Sequence, residues 1–244
     1  IFKSFFIAGV PEIDGATDLG FAAVLYEAAI KNNIKYILEG HSFVTEGVTP
    51  LGQNYFDGKY IESIHKMYGK EKMKTYPLMS LSKFLYWTLF KKVKKIRPLW
   101  YLNYSKEKAQ SFLKKEFDWE YYGGHHLENK MTQFVHTVYF PEKFKTDFRN
   151  NTLSALVRNK KMLRKKAWLS YNKPTKNKKV ITEYFTKRLK LNKSEYEKKM
   201  KEKPLNWQSF PTYKKTFENL SPLFFLMQKF NLVPKSFYIK YCKK

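Results

Sequence analysis

Ile34-Lys35-Tyr36-Ile37-Leu38-Glu39-Gly40-His41-Ser42-Phe43-Val44-Thr45-Glu46-Gly47 is the stretch on which the fold turns. Its first five residues form a short β-rich run that stops at Gly40. Past Gly40 the stretch turns polar, with a histidine, two hydroxyls and an acid, closed by a second glycine. Upstream lies a helical pattern reaching about Asn33, with Leu19, Ala22, Ala23, Tyr26 and Ala29/Ile30 at helical spacing and Thr17 or Asp18 as a cap. Further upstream, Phe2–Ala8 is an apolar run that reads as a strand, and residues 10–17, with Pro11 and Gly15, read as a loop. The order strand, helix, strand predicts a parallel βαβ unit with a right-handed crossover. In such sheets ligands bind beyond the carboxyl ends of the strands. The loops 10–17 and 40–47 occupy two such ends, and acids gather in them.

Beyond this unit, residues 58–68 and 80–92 predict helices, and 96–102 predicts a strand whose Pro98 favours an edge or early position. Residues 105–116 make an amphipathic helix capped by Ser105. Gly123-Gly124 opens a helix from about His125 to Tyr139, with Pro141 marking its end, and 147–159 carries Leu153, Leu156 and Val157 at helical spacing. From 161 onward the chain reads as short Lys-rich helices, 161–170, 179–190, 194–201 and 213–230, punctuated by Pro174, Pro204, Pro211 and Pro222. The fold class expected is α/β: a parallel-sheet half over residues 1–122, followed by a mostly helical half over 123–244.

Composition narrows the function. The 244 residues carry 43% hydrophobic and 18% aromatic side chains, too much apolar material for a disordered chain. No apolar run approaches the roughly 18 residues needed to span a bilayer. A single cysteine, Cys242, excludes a disulfide framework or a multi-cysteine metal site within the chain. No secretory signal is visible, and a cytoplasmic protein is expected. The sequence opens at Ile1, inside an apolar run and without Met, which reads as a cut edge with something preceding it. The net charge of +26 is uneven: the first sixty residues, with four Lys and seven acids, stand at −3. Only five of the 47 basic residues are Arg, the residue usually used for bidentate phosphate and base-edge contacts. Such a Lys excess reads mainly as solvated surface, and no DNA partner is expected.

Three segments carry candidate chemistry. In 40–47, His41 offers a donor to a phosphate, Glu46 a carboxylate for Mg²⁺ or a nucleophile, and Thr45 a hydroxyl; a plain capped βα loop is the alternative. In 11–18, Asp14 and Asp18 supply carboxylates at the neighbouring strand end, with helix capping as the alternative for Thr17 or Asp18. The segment 123–130 places His126, Glu128 and Asn129 near a helix start, where free N–H groups suit an anion. His125, Thr132 and His136 share a face there, and polar substrate contacts fit better than zinc. Arg149 and Arg158 form a candidate clamp for phosphate or carboxylate, or else pair with neighbouring acids. The chain has no G-x-x-x-x-G-K-[ST], G-x-G-x-x-G, H-E-x-x-H or G-x-S-x-G motif.

In these segments the sequence resembles the N-acetyl sugar amidotransferases, pyrophosphatase-loop ATP enzymes with an adenine nucleotide α-hydrolase-like fold. The matching stretches are Pro11-Glu12-Ile13-Asp14 with Thr17-Asp18, and Tyr36-Ile37-Leu38-Glu39-Gly40-His41 through Thr45-Glu46-Gly47. Tyr122-Gly123-Gly124-His125-His126-Leu127-Glu128-Asn129 and Phe140-Pro141-Glu142-Lys143-Phe144 come next, leading into Asp147-Phe148-Arg149-Asn150-Asn151-Thr152-Leu153-Ser154. Pro211-Thr212-Tyr213-Lys214-Lys215 and Asn231-Leu232-Val233-Pro234-Lys235-Ser236-Phe237 complete the order. The resemblance implies an ATP- and Mg²⁺-dependent enzyme that adenylates the carbonyl oxygen of a sugar's N-acetyl group. Ammonia then displaces AMP and leaves an acetamidino group. It implies ammonia from a glutaminase subunit through a cyclase-like channel subunit, a nucleotide-sugar or N-acetylated sugar as substrate, and products for O-antigen, lipopolysaccharide or flagellin glycans of bacteria. Glu46, Asp14 and His41 would be catalytic; Thr45, Asp18, His126, Glu128, Arg149 and Arg158 would bind substrate or nucleotide. The family's Ser-Gly-Gly-x-Asp-Ser pyrophosphate loop is not in this sequence and would lie upstream of Ile1, so the sheet is expected to be partial, without its first strands. A tRNA-modifying relative and a non-catalytic, truncated partner-binding fragment are the alternative readings.

Overall fold

In the computed structural model of the chain, which describes residues 1–47, 54–124, 127–175 and 177–243, Phe2–Ala8 is a helix (α1) and not a strand. A continuous apolar run does not by itself separate the two. Here Phe5, Phe6 and Ala8 are buried, and Gly9 closes the helix in the left-handed region (φ 71°), its N–H donating to the Phe5 and Phe6 carbonyls. The predicted strand–helix–strand order is thereby corrected, and the loop 10–17 follows a helix rather than a strand. α2 (Gly15–Lys31) begins with Asp14 at its N-cap position, so Thr17 and Asp18 lie inside the first turn and do not precede it.

The parallel sheet exists, but between different partners. β1 (Tyr36–Leu38) pairs in parallel with β2 (Lys94–Ile96), Ile37 opposite Lys95. The strand expected over 96–102 ends at Ile96, and Pro98–Trp100 is a 3-10 turn instead, because Pro98 has no N–H to give a ladder. Between the strands run α3 (Phe43–Glu46), α4 (Gly58–Tyr68) and α5 (Leu81–Leu85), the last continuing as a π-helix over Tyr86–Phe90. The result is mixed α/β and mostly helical, with a small two-stranded parallel sheet among the described residues.

Past β2 come α6 (Lys106–Phe117), α7 (Lys130–Phe134) running on as a π-helix over Val135–Phe144, α8 (Arg149–Arg158), α9 (Arg164–Tyr171), α10 (Lys178–Arg188), α11 (Lys193–Lys201), α12 (Lys214–Asn219), α13 (Ser221–Lys229) and α14 (Lys235–Phe237), which continues as a π-helix over Tyr238–Cys242. Ser105 caps α6 as expected, accepting from the Lys108 amide. α7 starts at Lys130 and is capped by Asn129, five residues later than the glycine pair suggested. Nor does it stop at Pro141. The wider π-helix carries the chain through the proline, and Lys145, at φ 55°, ends it.

The chain divides into two compact units. One comprises residues 1–39, 50–96 and 203–244. One of its apolar clusters contains Tyr26 stacked on Trp87, with Ile37 and Val93; another gathers Phe217, Phe224, Met227 and Val233 around Cys242. Burial pushes the Cys242 thiol up to about 12, which keeps it protonated and unreactive. The other unit comprises residues 40–49 and 97–202. Its core holds Phe134, Val138, Tyr139 and Phe185, with the Phe134 and Phe185 rings stacked at 3.6 Å. No helix among the described residues is long and apolar enough to cross a membrane.

Candidate functional site

The segment 40–47 supplies α3, a single helical turn in the second unit. Ser42 precedes it in an extended conformation, and its carbonyl accepts from the Glu46 amide at 3.0 Å. Gly47 leaves the turn at φ 78°, open to glycine at little cost. A Cβ there would stand 2.6 Å from the Asn151 carbonyl oxygen and 3.5 Å from the Ala155 methyl. Glycine is therefore what lets α3 lie directly on α8, where Ala155 is buried at the contact.

This packing sets where each candidate group goes. Thr45 is buried, Glu46 is half-buried and His41 is exposed. Asn151, Ala155 and Arg158 fall at i, i+4 and i+7, so Arg158 extends the α8 face that receives α3. Its guanidinium is exposed and forms no ion pair among the described residues. Arg149 lies on the opposite face. It grips Asp147 through Nε at 3.0 Å and Nη2 at 2.6 Å, donates to the Lys173 carbonyl at 2.8 Å and stacks on Tyr171. The bond to Asp147 raises the guanidinium further above its usual range. Of the two readings of Arg149, the ion pair is the one seen, and the two arginines do not form a joint clamp.

The sequence did not show Tyr104 as a neighbour of α3, and of Ser42 it showed a hydroxyl in the segment but not its burial. Tyr104 lies within electrostatic reach of Glu46: burial raises its phenol, and the Glu46 carboxylate raises it further. Ser42 is 2% exposed, and its hydroxyl is shut from solvent without a hydrogen-bond partner. A buried hydroxyl left unmade costs about 1–3 kcal/mol, and such groups are rare enough to mark places where a ligand or water completes the bonding. Trp100 Nε1 is likewise buried and unpartnered; the Trp100 ring stacks on Phe43 at 4.0 Å, and the Arg97 guanidinium lies 4.8 Å from its centroid.

The segment 123–130 behaves differently from its reading. His125 and His126 lie outside the described residues. Glu128 is exposed in a turn before α7, close enough to raise the Tyr122 phenol after burial has done so. The Asn129 side chain is spent on capping the helix, and His136 stacks on Phe148 at 4.9 Å, as a packing ring.

In the first unit, Asp14 is half-buried at the α2 N-cap and Asp18 is exposed one turn on. Among the described residues, the acids that this unit buries are Glu12 and Asp57. Glu12 accepts from the Tyr60 hydroxyl at 2.9 Å, and burial raises its carboxyl, with Tyr60 and Lys240 opposing the rise. Asp57 accepts from the Tyr55 hydroxyl at 2.5 Å, the Tyr213 amide at 2.7 Å and the Tyr60 amide at 2.8 Å; burial raises it as well. Asp57 thus caps α4 and ties residues 55–60 to the chain at 213. Beside it lies a cavity of about 60 Å³ lined largely by Leu19, Phe84, Tyr213, Phe217 and Tyr241. Small-molecule pockets run to about 300 Å³ or more, so this one is too small for a nucleotide. No group of three or more His, Cys, Asp or Glu side chains among the described residues is placed to hold a metal ion. A divalent cation here would have to bring most of its ligands with it, as Mg²⁺ does with phosphates, and a lone half-buried carboxylate such as Glu46 fits that mode.

Comparison with known families adds a second line. Residues 128–223 match the family model described as LPS biosynthesis protein WbpG-like, C-terminal domain. That match supports a role in lipopolysaccharide biosynthesis. It spans Glu128, the π-helical segment with Pro141, and all of α8, and so includes the helix on which α3 rests. No curated protein and no solved structure matches the chain.

Proposed function

We propose that the chain belongs to an ATP-dependent N-acetyl sugar amidotransferase of bacterial surface-glycan biosynthesis, working in the cytoplasm. The observation that carries the reading is the family-model match over 128–223, a range that includes α8, on which α3 rests. In the proposed reaction the carbonyl oxygen of the sugar's acetamido group attacks the α-phosphorus of ATP and pyrophosphate leaves. Ammonia then adds to the activated carbon. AMP leaves with the original oxygen, a proton is lost, and an acetamidino group results. Residues 1–122 would be the later part of a pyrophosphatase-loop domain of the adenine nucleotide α-hydrolase type, and 123–244 the substrate- and partner-binding region.

The roles rest on placement. Glu46 reaches solvent from a turn locked by Gly47 and is suited to hold ammonia or a nucleotide-bound Mg²⁺. His41, exposed at the start of the same segment, is suited to donate to phosphate, and Arg158 offers an uncommitted guanidinium to phosphate or carboxylate. Thr45 and the unpartnered Ser42 hydroxyl supply polar groups behind them. Glu128 is proposed as a substrate contact, His126 as another on the sequence resemblance alone, and Asp14 and Asp18 as a second acidic group. Ammonia would arrive from a glutaminase subunit through a cyclase-like channel subunit. The test is release of AMP from ATP that depends on both ammonium and an N-acetylated nucleotide-sugar, with mass analysis of the sugar afterwards. The reading requires a product lighter by about one mass unit, oxygen having been exchanged for NH; ATP consumption without that product contradicts it.

A further inference from the structure

Between Asp147 and Glu183 the sequence holds eleven Lys and Arg and no acid. Arg149 is taken by Asp147, and Lys178 pairs with Glu142. Around α9 the cations are unmatched: Arg158, Lys160, Arg164, Lys165, Lys166 and Lys173 are exposed and form no ion pair among the described residues. Lys161, also exposed, has Glu107 within electrostatic reach. A run of like charge is ordinarily just a solvated face. What sets this one apart is the apolar material exposed within it. α9 docks through Ala167, which is buried, while Leu163, Trp168 and Leu169 are 79%, 64% and 60% exposed. At 100° per residue, Trp168 and Leu169 flank Lys165 on the face opposite Ala167, with Leu163 at the helix start.

We infer that this face is a docking surface for an anionic phospholipid bilayer. Trp168 and Leu169 on one exposed face of α9, with Leu163 exposed at its start and exposed cations before, between and after them in sequence, provide the two signals that interfacial binding combines, insertion and attraction to anionic headgroups. The aliphatic pair argues against nucleic acid, since Leu163 and Leu169 have no π-face on which a base can stack, and the cations are mostly Lys. The chain would be held peripherally, with only the tips of these side chains entering the interface. The inference does not depend on the proposed reaction, and a catalytically dead chain would bind equally well.

The test is sedimentation of the full chain with vesicles of phosphatidylcholine alone and of phosphatidylcholine mixed with phosphatidylglycerol, across a salt series. Binding to the anionic vesicles only, weakened by salt and accompanied by a blue shift of tryptophan emission, is the expected result. Trp168→Ala with Leu169→Ala should remove the shift, and Lys165→Glu with Lys166→Glu should lower the apparent affinity by more than about tenfold. These side chains are exposed, so circular dichroism should stay unchanged; the wild-type vesicle comparison stands on its own if a variant misfolds. No binding to anionic vesicles overturns the inference. So does binding that survives the Trp168 and Leu169 substitutions, or a tRNA complex formed in preference to vesicles through the same lysines.

Discussion

In the unit of residues 1–39, 50–96 and 203–244, Glu12 and Asp57 are closed off from water, and Asp57 accepts hydrogen bonds from two backbone amides and a phenol. In the unit of residues 40–49 and 97–202, Glu46 sits half-exposed on a one-turn helix, beside a buried serine hydroxyl with no partner. A carboxylate whose lone pairs are satisfied inside the protein holds chain segments together and has little left to offer a ligand. A carboxylate positioned by glycine-enforced packing, and left reachable, has the opposite profile. Substitutions at these carboxylates should therefore divide: stability for Glu12 and Asp57, activity for Glu46.

The largest effect expected is from Asp57→Ala. It removes the α4 cap and strands the Tyr55 hydroxyl and the Tyr213 amide, at a cost of about 3–5 kcal/mol in denaturant unfolding. A loss under about 1 kcal/mol, the size of a cap alone, would break the first half of the comparison. Gly47→Ala should cost about 2–3 kcal/mol, because the new methyl meets the Asn151 carbonyl at an unfavourable φ, and it should also displace Glu46. Lys143→Met tests a third buried charge. Its ammonium donates to the Lys199 and Glu202 carbonyls at 2.6 and 2.8 Å, holding the end of α11, and about 1–3 kcal/mol should be lost with it.

Acidity offers a finer test. Burial raises both Glu12 and Asp57, so the native state holds their protons more tightly than the unfolded chain does. Their contribution is full below the ordinary carboxylate range and is lost as pH rises through the raised native values. Urea midpoints measured across that window should show a falling contribution, and Glu12→Gln should flatten the slope. A steeper slope in Glu12→Gln would reverse the assignment.

Much of the helical framework was legible, and the reasons are local. α4 has the bounds expected, 58–68, and α6 is read from Ser105 ahead of an amphipathic pattern. The misreadings have physical causes too. FKSFFIA is apolar on most sides because α1 is buried over most of its surface, and a buried helix and a buried strand look alike at that length; Gly9, a C-cap signal, was the available clue. The end of β2 and the passage of the π-helix through Pro141 depend on pairing and on hydrogen bonds that no local pattern encodes. Within the site, Glu46, His41 and Gly47 stand together in sequence and could be quoted as a motif. Tyr104 and Asn151 reach it only through the packing of α3 on α8. Glu12 lay inside a quoted motif, yet its burial depends on Tyr60, 48 residues away.

The smallest stability change is expected where the activity change is greatest. Glu46→Gln should shift the unfolding free energy by no more than about 0.5 kcal/mol, as for a surface-accessible substitution. The decisive measurement is ammonium- and sugar-dependent AMP release from wild-type and Glu46→Gln protein, with unfolding measured on the same samples. AMP release by Glu46→Gln should fall at least about a hundredfold at unchanged stability. Undiminished release by a fully folded Glu46→Gln protein would contradict the role proposed for Glu46.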